Sequence, residues 1–404
     1  MRNTLSIAGV SLLTLLSLSP AQATNGYFAH GFGVRSKAIA GAGSALPQDS
    51  LASAINPAGL AFVGTRVDVE LELFSPRRQF SVEGSPTLAP DAFPLNPGQF
   101  YSSSEEFLIP TVGFSYAIDD DQSVGIALYG HGGMVTNFIP KANPLCPPGS
   151  PGAGVFCAGR TGVDLQQAFI SPSYARRFFE GRLAVGIAPI FAIQSFKGRG
   201  FGGFAGFSSD ASRLTDTGRD YAFGGGLRAG ILAEPIDGLH IGLAYKSRIW
   251  MSEFDEYAGL FAEQGDFDIP DSYNLGLAYQ VNTQLALAFD LEHIRYSQIK
   301  SVGNRFLPNL QTARLGDTGG AGFGWRDMTI YKFGAVWQPD DAWTLRAGFS
   351  YGRQPIPKSE VLFNIVAPGV QEWHITAGFS RKLWDHDEVS FAFMYSPEKS
   401  VKGI

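Results

Sequence analysis

The chain has 404 residues and a formal net charge of −6, and only 17% of its residues are charged, well under the roughly 25% of an ordinary soluble domain. An acidic balance argues against nucleic-acid binding, which asks for a basic face, and no apolar run of about 18 residues follows residue 23, which excludes a membrane-spanning helix. With 49 glycines and 13% aromatic residues, the composition points to an exported chain that meets lipid through strands, since a closed barrel satisfies every backbone group there.

At the N-terminus, Arg2 precedes an apolar run from Ile7 to Leu18 that ends in Pro20-Ala21-Gln22-Ala23, a small-x-small cleavage site. Residues 1–23 are expected to be a secretory signal peptide, with Thr24 the mature terminus. No Cys follows the site, so no lipid anchor is expected.

Residues 24–62 do not alternate. They are rich in small residues, and Asp49 or Ser50 is placed to cap a short helix carrying Leu51, Ala52 and Ile55. Pro57 forces Asn56 out of helical geometry and ends that helix. Short apolar turns ahead of the first strand bury their surface best inside a barrel, so residues 24–62 are expected to plug residues 63–404 from the periplasmic side. Phe28, Phe32, Ile39, Leu46 and Ile55 are candidate walls of a ligand pocket there; plug packing is the other use for them.

From Thr65 the chain alternates, with Val67, Val69, Leu71 and Leu73 on one face and Arg66, Asp68, Glu70 and Glu72 on the other. A period of two with charge on one face marks a strand between two unlike solvents. The pattern predicts strands at 65–74, 107–118, 122–133, 163–178, 182–196, 219–233, 239–250, 268–279, 284–297, 326–338, 342–352, 370–383 and 387–396. Short polar turns at 119–121, 179–181, 236–238, 281–283, 339–341 and 385–387 alternate with long loops, as in bacterial outer-membrane barrels. Tyr116, Tyr279, Trp337, Trp343 and Trp384 lie beside the short turns, where an interfacial girdle belongs. Thirteen strands is an odd count, whereas single-chain bacterial barrels are even; either a fourteenth strand is missing or one has been merged.

Within the long loop at 134–162, Cys146 and Cys157 are expected to form one disulfide in an oxidising compartment, worth about 3 kcal/mol against the unfolded chain. No His stands near them to make a zinc site. In the loops, Phe201, Phe204 and Phe207, and Met251, Phe254, Tyr257, Ala258 and Phe261 on one helical face, form apolar clusters. Either they make an exposed capture groove or they pack together as a cap. Strand parity puts Arg176, Arg228, Lys246, Arg248, Lys332, Arg346 and His374 on the lumen face, together with Asp68, Glu70, Asp290 and Glu292. Most of these are expected to pair with one another, and Arg228 and Arg346 are candidates to meet a ligand carboxylate.

The segment GYFAHGFGVRSKAIAGAGSALPQDSLASAINPAGLAFVG, with its Asn56-Pro57-Ala58, resembles the N-terminal hatch of the FadL/TodX transporters of Gram-negative outer membranes, and LIPTVGFSYAI, IGLAYKSRI, IPDSYNLGLAYQ and TLRAGFSYGRQPI are similar to their strands. The resemblance implies an all-β transmembrane barrel of fourteen antiparallel strands with a lumenal hatch. It also implies passive transport of long-chain fatty acids or related hydrocarbons, by loop capture, a lumenal pocket, hatch rearrangement and lateral exit at a kink in the third strand. Here that strand carries Gly130, Gly132 and Gly133, and strand glycines mark bulges.

Motifs that imitate catalysis lack their context. GFSYG at 348–352 fits a nucleophile elbow, but the alternation runs straight through Ser350. GRGFGG at 198–203 has no helix after it, and the six histidines show no metal-ligand spacing. The sequence therefore predicts a non-enzymatic channel with no cofactor or metal, whose partners are a hydrophobic small molecule and outer-membrane lipids, functioning as a monomer in the outer membrane. A general diffusion porin or a structural barrel is the alternative.

Overall fold

The structure is a computed structural model that describes residues 24–84, 93–384 and 387–404. The expected signal peptide and the turn residues Asp385 and His386 lie outside the described residues. Thirteen long strands follow one another as an antiparallel meander. They are β1 (Arg66–Phe74), β2 (Phe107–Ala117), β3 (Gln122–Val135), β4 (Gly162–Phe178), β5 (Leu183–Arg199), β6 (Asp220–Ile236) and β7 (Leu239–Lys246). After these come β8 (Ser272–Gln280), β9 (Leu285–Ile294), β10 (Met328–Trp337), β11 (Trp343–Gly352), β12 (Trp373–Lys382) and β13 (Glu388–Tyr395).

Each predicted strand is present, and the short turns close by side-chain acceptors that their sequences supply. Asp119 accepts from the amides of Asp121 and Gln122, Asn282 from those of Gln284 and Leu285, and Asp340 from those of Ala342 and Trp343, the local bonding that makes Asp and Asn good turn residues. Several predicted strands are shorter than expected, and for two of them the cause is visible. The 239–250 segment is interrupted after Lys246 by an extra residue: Arg228 pairs with Lys246, yet Gly225 pairs with Trp250, which is a bulge. The 268–279 segment begins only at Ser272, because Asp268 and Asp271 are held at the rim by Arg248 and Arg295.

The outward face is an apolar belt bounded by aromatic residues at both ends. Tyr116, Tyr279, Trp337 and Trp384 are exposed beside the short turns, as the sequence predicts, and Tyr221, Trp250, Tyr273, Tyr331 and Trp373 are exposed toward the long loops. A belt between two aromatic rings is the profile of a barrel in a bilayer.

The first and last strands are edges of the sheet: β1 pairs only with β2 and β13 only with β12 among the described residues. Val67, Val69, Leu71 and Leu73 of β1 are accordingly 63 to 75% exposed, more than outward residues of inner strands such as Leu277 at 40%. The short helix Val34–Ala38 reaches both edges. Its Val34 amide donates to Glu70 (2.8 Å), Lys37 pairs with Glu72, and Arg35 pairs with Glu388 (2.6 Å).

Candidate functional site

The N-terminal segment lies against the lumen face of the sheet, and the sequence places glycines where it makes contact. On β5, β6, β7, β8, β10 and β11, a Cβ at Gly186, Gly230, Gly242, Gly276, Gly334 or Gly348 would collide with residues 39 to 58. Those strands can admit backbone only where a side chain is missing. Asp49 caps the 3-10 turn Ser50–Ala54 by accepting from Leu51 (3.0 Å), and Asn56 caps a second turn, Pro57–Phe62, by accepting from Ala58 (3.1 Å). Pro57 thus both ends one turn and begins the next, where its missing N–H costs nothing. The amide of Asn56 also donates to the carbonyls of Ser44 (2.8 Å) and, on the wall, Ile231 (3.0 Å). The Asn-Pro-Ala signature is a tie between plug and barrel.

Other wall residues bind the same segment. Asp290 accepts from the Ser44 amide (2.8 Å), Asp68 from Ser50, and Arg346 donates to Gln48 (2.9 Å) and Ser380 (2.6 Å). Lys332 pairs with Glu292 (2.8 Å) and donates to the His30 carbonyl (3.2 Å). Ser350 lies within hydrogen-bond distance of both His30 (2.9 Å) and His374 (3.1 Å), in the middle of regular β11, so GFSYG forms a plug contact with no strained turn. Arg346, a candidate for a ligand carboxylate, is already engaged by the plug.

Three expected lumen or pocket positions differ. Arg176 is on the outward face of β4, over the Phe178 ring, and Arg177 turns inward over Phe62; parity there is set by buried Phe169 and Ala175. Arg248 sits beyond the bulge, paired with Asp268 and, at 3.5 Å, Asp266. Ile39 is wedged against Gly334 and Gly348, whereas Phe32, Leu46 and Ile55 line one small cavity within the plug.

Beside β3 several polar groups are left without partners among the described residues. The ladder slips between Gly130 and Gly132, the bulge expected of those glycines. His131 stands in the slip, buried, with neither ring nitrogen bonded among the described residues, and its ring stacks on Phe169 (4.2 Å) and meets Phe28 (4.3 Å). The two-residue strand Phe28–Ala29 pairs with Gly132, and the Gly133 amide donates to Tyr27 (2.9 Å), so the N-terminal hairpin lies across the bulge. Across the lumen face, Arg228 and Lys246 are direct cross-strand partners. Arg228 has only the Tyr129 hydroxyl (3.5 Å) and the Phe32 ring, and Lys246 only the Pro270 carbonyl (2.5 Å) and the Phe28 ring, and neither forms an ion pair among the described residues. Like charges placed opposite each other are destabilising, and burying them unpaired costs more. The arrangement has room in its electrostatics for one anion. The sequence marked Arg228 and Phe28 separately; the Lys246 pairing needed the register.

Over the long-loop end, Phe201, Phe204, Phe254, Tyr257 and Phe261 are all buried. Phe196 touches Phe254 (5.7 Å), Tyr257 (4.7 Å) and Phe261 (4.7 Å), while Phe204 meets Phe93, Phe156 and Phe306. Of the two expected arrangements, exposed groove or packed cap, the structure adopts the cap, because apolar residues of several loops find one another; Phe207 remains 48% exposed. The single helical face expected over 251–263 is broken into the turns Asp255–Tyr257 and Ala262–Gly265, with positive φ at Glu263 and Gln264. Cys146 and Cys157 are joined as expected.

The cap also contains a proton site. Burial, followed by the charge of Asp268, raises the Asp266 carboxyl from 3.8 to about 7. The packed loop thus holds this proton more tightly than an open loop would. Its advantage is intact below pH 4 and is lost as pH rises through about 7. Amide exchange over residues 254–267 is expected to accelerate between about pH 4 and 7 beyond its intrinsic dependence, and Asp266→Asn is expected to flatten that response.

A plugged, lipid-facing antiparallel barrel with an aromatic-lined lumen site defines a transport channel of the outer membrane for hydrophobic compounds. The family model for the outer membrane transport proteins OMPP1/FadL/TodX matches residues 12–403, and the chain belongs to that family. Among solved structures, the chain is similar to a Pseudomonas aeruginosa FadL homologue at 17% identity and a TM-score of 0.62, over 92% of this chain and 90% of that one. It is also similar to the Pseudomonas putida toluene transporter TodX at 17% identity and a TM-score of 0.65, over 92% and 94%. The Ralstonia pickettii toluene transporter TbuX gives 17% and 0.64 over the same shares. No curated protein sequence matches the chain.

Proposed function

We propose that the protein passively carries hydrophobic molecules bearing a carboxylate, such as long-chain fatty acids, across the outer membrane. The observation that carries this reading is the facing pair Arg228 and Lys246, unpaired and enclosed by Phe28, Phe32 and Tyr129. A carboxylate set between them would gain two charge-assisted hydrogen bonds, and the aromatic shell would cover its alkyl chain at about 25 cal/mol per Å² buried. A neutral aromatic hydrocarbon would leave both charges uncompensated.

Cargo enters at the loop cap, where Phe207 is exposed, and moves to the cation pair. There the Tyr27-Phe28 hairpin occupies the space a ligand needs. Displacing it uncovers the bulge at Gly130 to Gly133, where the backbone ladder slips, and cargo leaves sideways into the apolar belt, with the plug on the periplasmic side. An open porin is disfavoured by the plug contacts on so many strands.

Mass spectrometry of lipids co-purifying with the protein tests the substrate class. Long-chain carboxylic acids in stoichiometric amount are expected. Neutral hydrocarbons alone would overturn the reading, and sugar permeation at the rate of an open porin would favour that rival.

A further inference from the structure

The outward face of β4 to β6 changes character abruptly at its long-loop end. Phe191, Ile193 and Phe223 belong to the exposed apolar belt, and Tyr221, opposite Ser195, sits at its upper edge. One outward position higher, Asp164 and Lys197 are cross-strand partners, and Arg199 stands two residues beyond Lys197 opposite Gly162. Asp164 is fully engaged, paired with Arg219 and accepting from Gln166 (2.9 Å); Arg219 also donates to Ser195 (2.8 Å). The side chains of Lys197 and Arg199 are left with no hydrogen bond or ion pair among the described residues, and both line a cleft with Ser104, Asn137, Gly162 and Asp164, whose carboxylate is turned to Arg219.

We infer that Lys197 and Arg199, supported by Arg219, form a binding site for the phosphate groups of the outer-leaflet lipid, the phosphorylated glucosamine lipid of lipopolysaccharide. The height is right. Lys197, two residues above the level of Tyr221, lies about 6.6 Å up along a strand, or about 5 Å along the membrane normal at a tilt near 40°, inside a headgroup layer about 5–8 Å deep, and Arg199, about 10 Å up by the same measure, stands just beyond its outer edge, where its long side chain reaches back to the phosphates. The chemistry is right as well: a lysine and an arginine without carboxylate partners offer charge-assisted donors to a phosphate, while its acyl chains lie on Ile193 and Phe223. The site rests on the long-loop end facing outward and is independent of the lumen reading.

The test is native mass spectrometry of the purified protein in non-ionic detergent, titrated with diphosphoryl lipid A and with the same lipid stripped of both phosphates. The wild-type protein is expected to retain the diphosphoryl form at least tenfold better, and Lys197→Gln with Arg199→Gln to abolish that preference. Arg381→Gln, at the short-turn end, is expected to leave it intact. Equal retention of the two lipids by the wild type would overturn the proposal without any variant. So would an undiminished preference in a double variant whose folding is verified by heat-dependent gel mobility, or displacement of the lipid by an equimolar amount of inorganic phosphate. Fatty-acid uptake into liposomes lacking this lipid is expected to be unaffected by the double variant, which separates failure here from failure of the transport reading.

Discussion

Replacing Lys246 with methionine and Arg228 with glutamine is expected to lower uptake of a long-chain carboxylate by roughly 10- to 100-fold, the equivalent of one hydrogen bond to a charged group at about 1.5–3 kcal/mol. Uptake of a neutral aromatic hydrocarbon of similar size is expected to stay level or rise. The two side chains face each other on β6 and β7 with no carboxylate paired to either among the described residues. Their removal therefore relieves repulsion in the empty protein, and the variant is expected to unfold at higher temperature. Most binding-site losses weaken a protein or leave it unchanged, so reduced transport with raised stability is a distinctive signature. A parallel fall in both cargoes would assign the pair a structural role.

The second large effect concerns the seat of the plug. Asn56→Ala removes the cap on Ala58 and the donors to Ser44 and Ile231, a loss of about 2–4 kcal/mol given about 1 kcal/mol for each buried bond plus the cost of stranded carbonyls. Gly230→Ala puts a methyl group where the Asn56 side chain lies and is expected to be at least as damaging. In both variants, the 24–62 segment is expected to become protease-sensitive and the channel to conduct small ions in planar bilayers. Combining them is expected to cost less than the sum, because the shortened residue 56 makes room for the added methyl, a coupling that a double-mutant cycle reads directly. Strict additivity would mean that the glycine is not there to admit the asparagine.

Much of the architecture was legible in local pattern. Alternation located every long strand because each separates lipid from a polar, plugged lumen, and a one-residue slip would turn Val67 or Leu71 into the lumen. Turn chemistry at Asp119, Asn282 and Asp340 marked the short ends, and the glycines of β3 marked its bulge. Parity failed at Arg176 and Arg248, where the deciding facts are which neighbour is buried and where an extra residue enters the ladder.

The candidate site was only partly legible. Phe28, Phe32 and Arg228 could be nominated as single residues, but pairing Arg228 with Lys246 is a matter of register between strands that meet only once the hairpin has formed. Whether the loop phenylalanines made a groove or a cap was likewise undecidable from spacing, since hydrophobic burial is non-directional and depends on which other loops come near. The glycines that seat the plug were visible as letters without a reason, because the object they accommodate lies more than a hundred residues away in the chain. Sequence alone determined the periodic, locally bonded features of this protein, the strands, turns and caps. Tertiary structure decided its unpaired charges and close approaches, which exist only between segments distant in sequence.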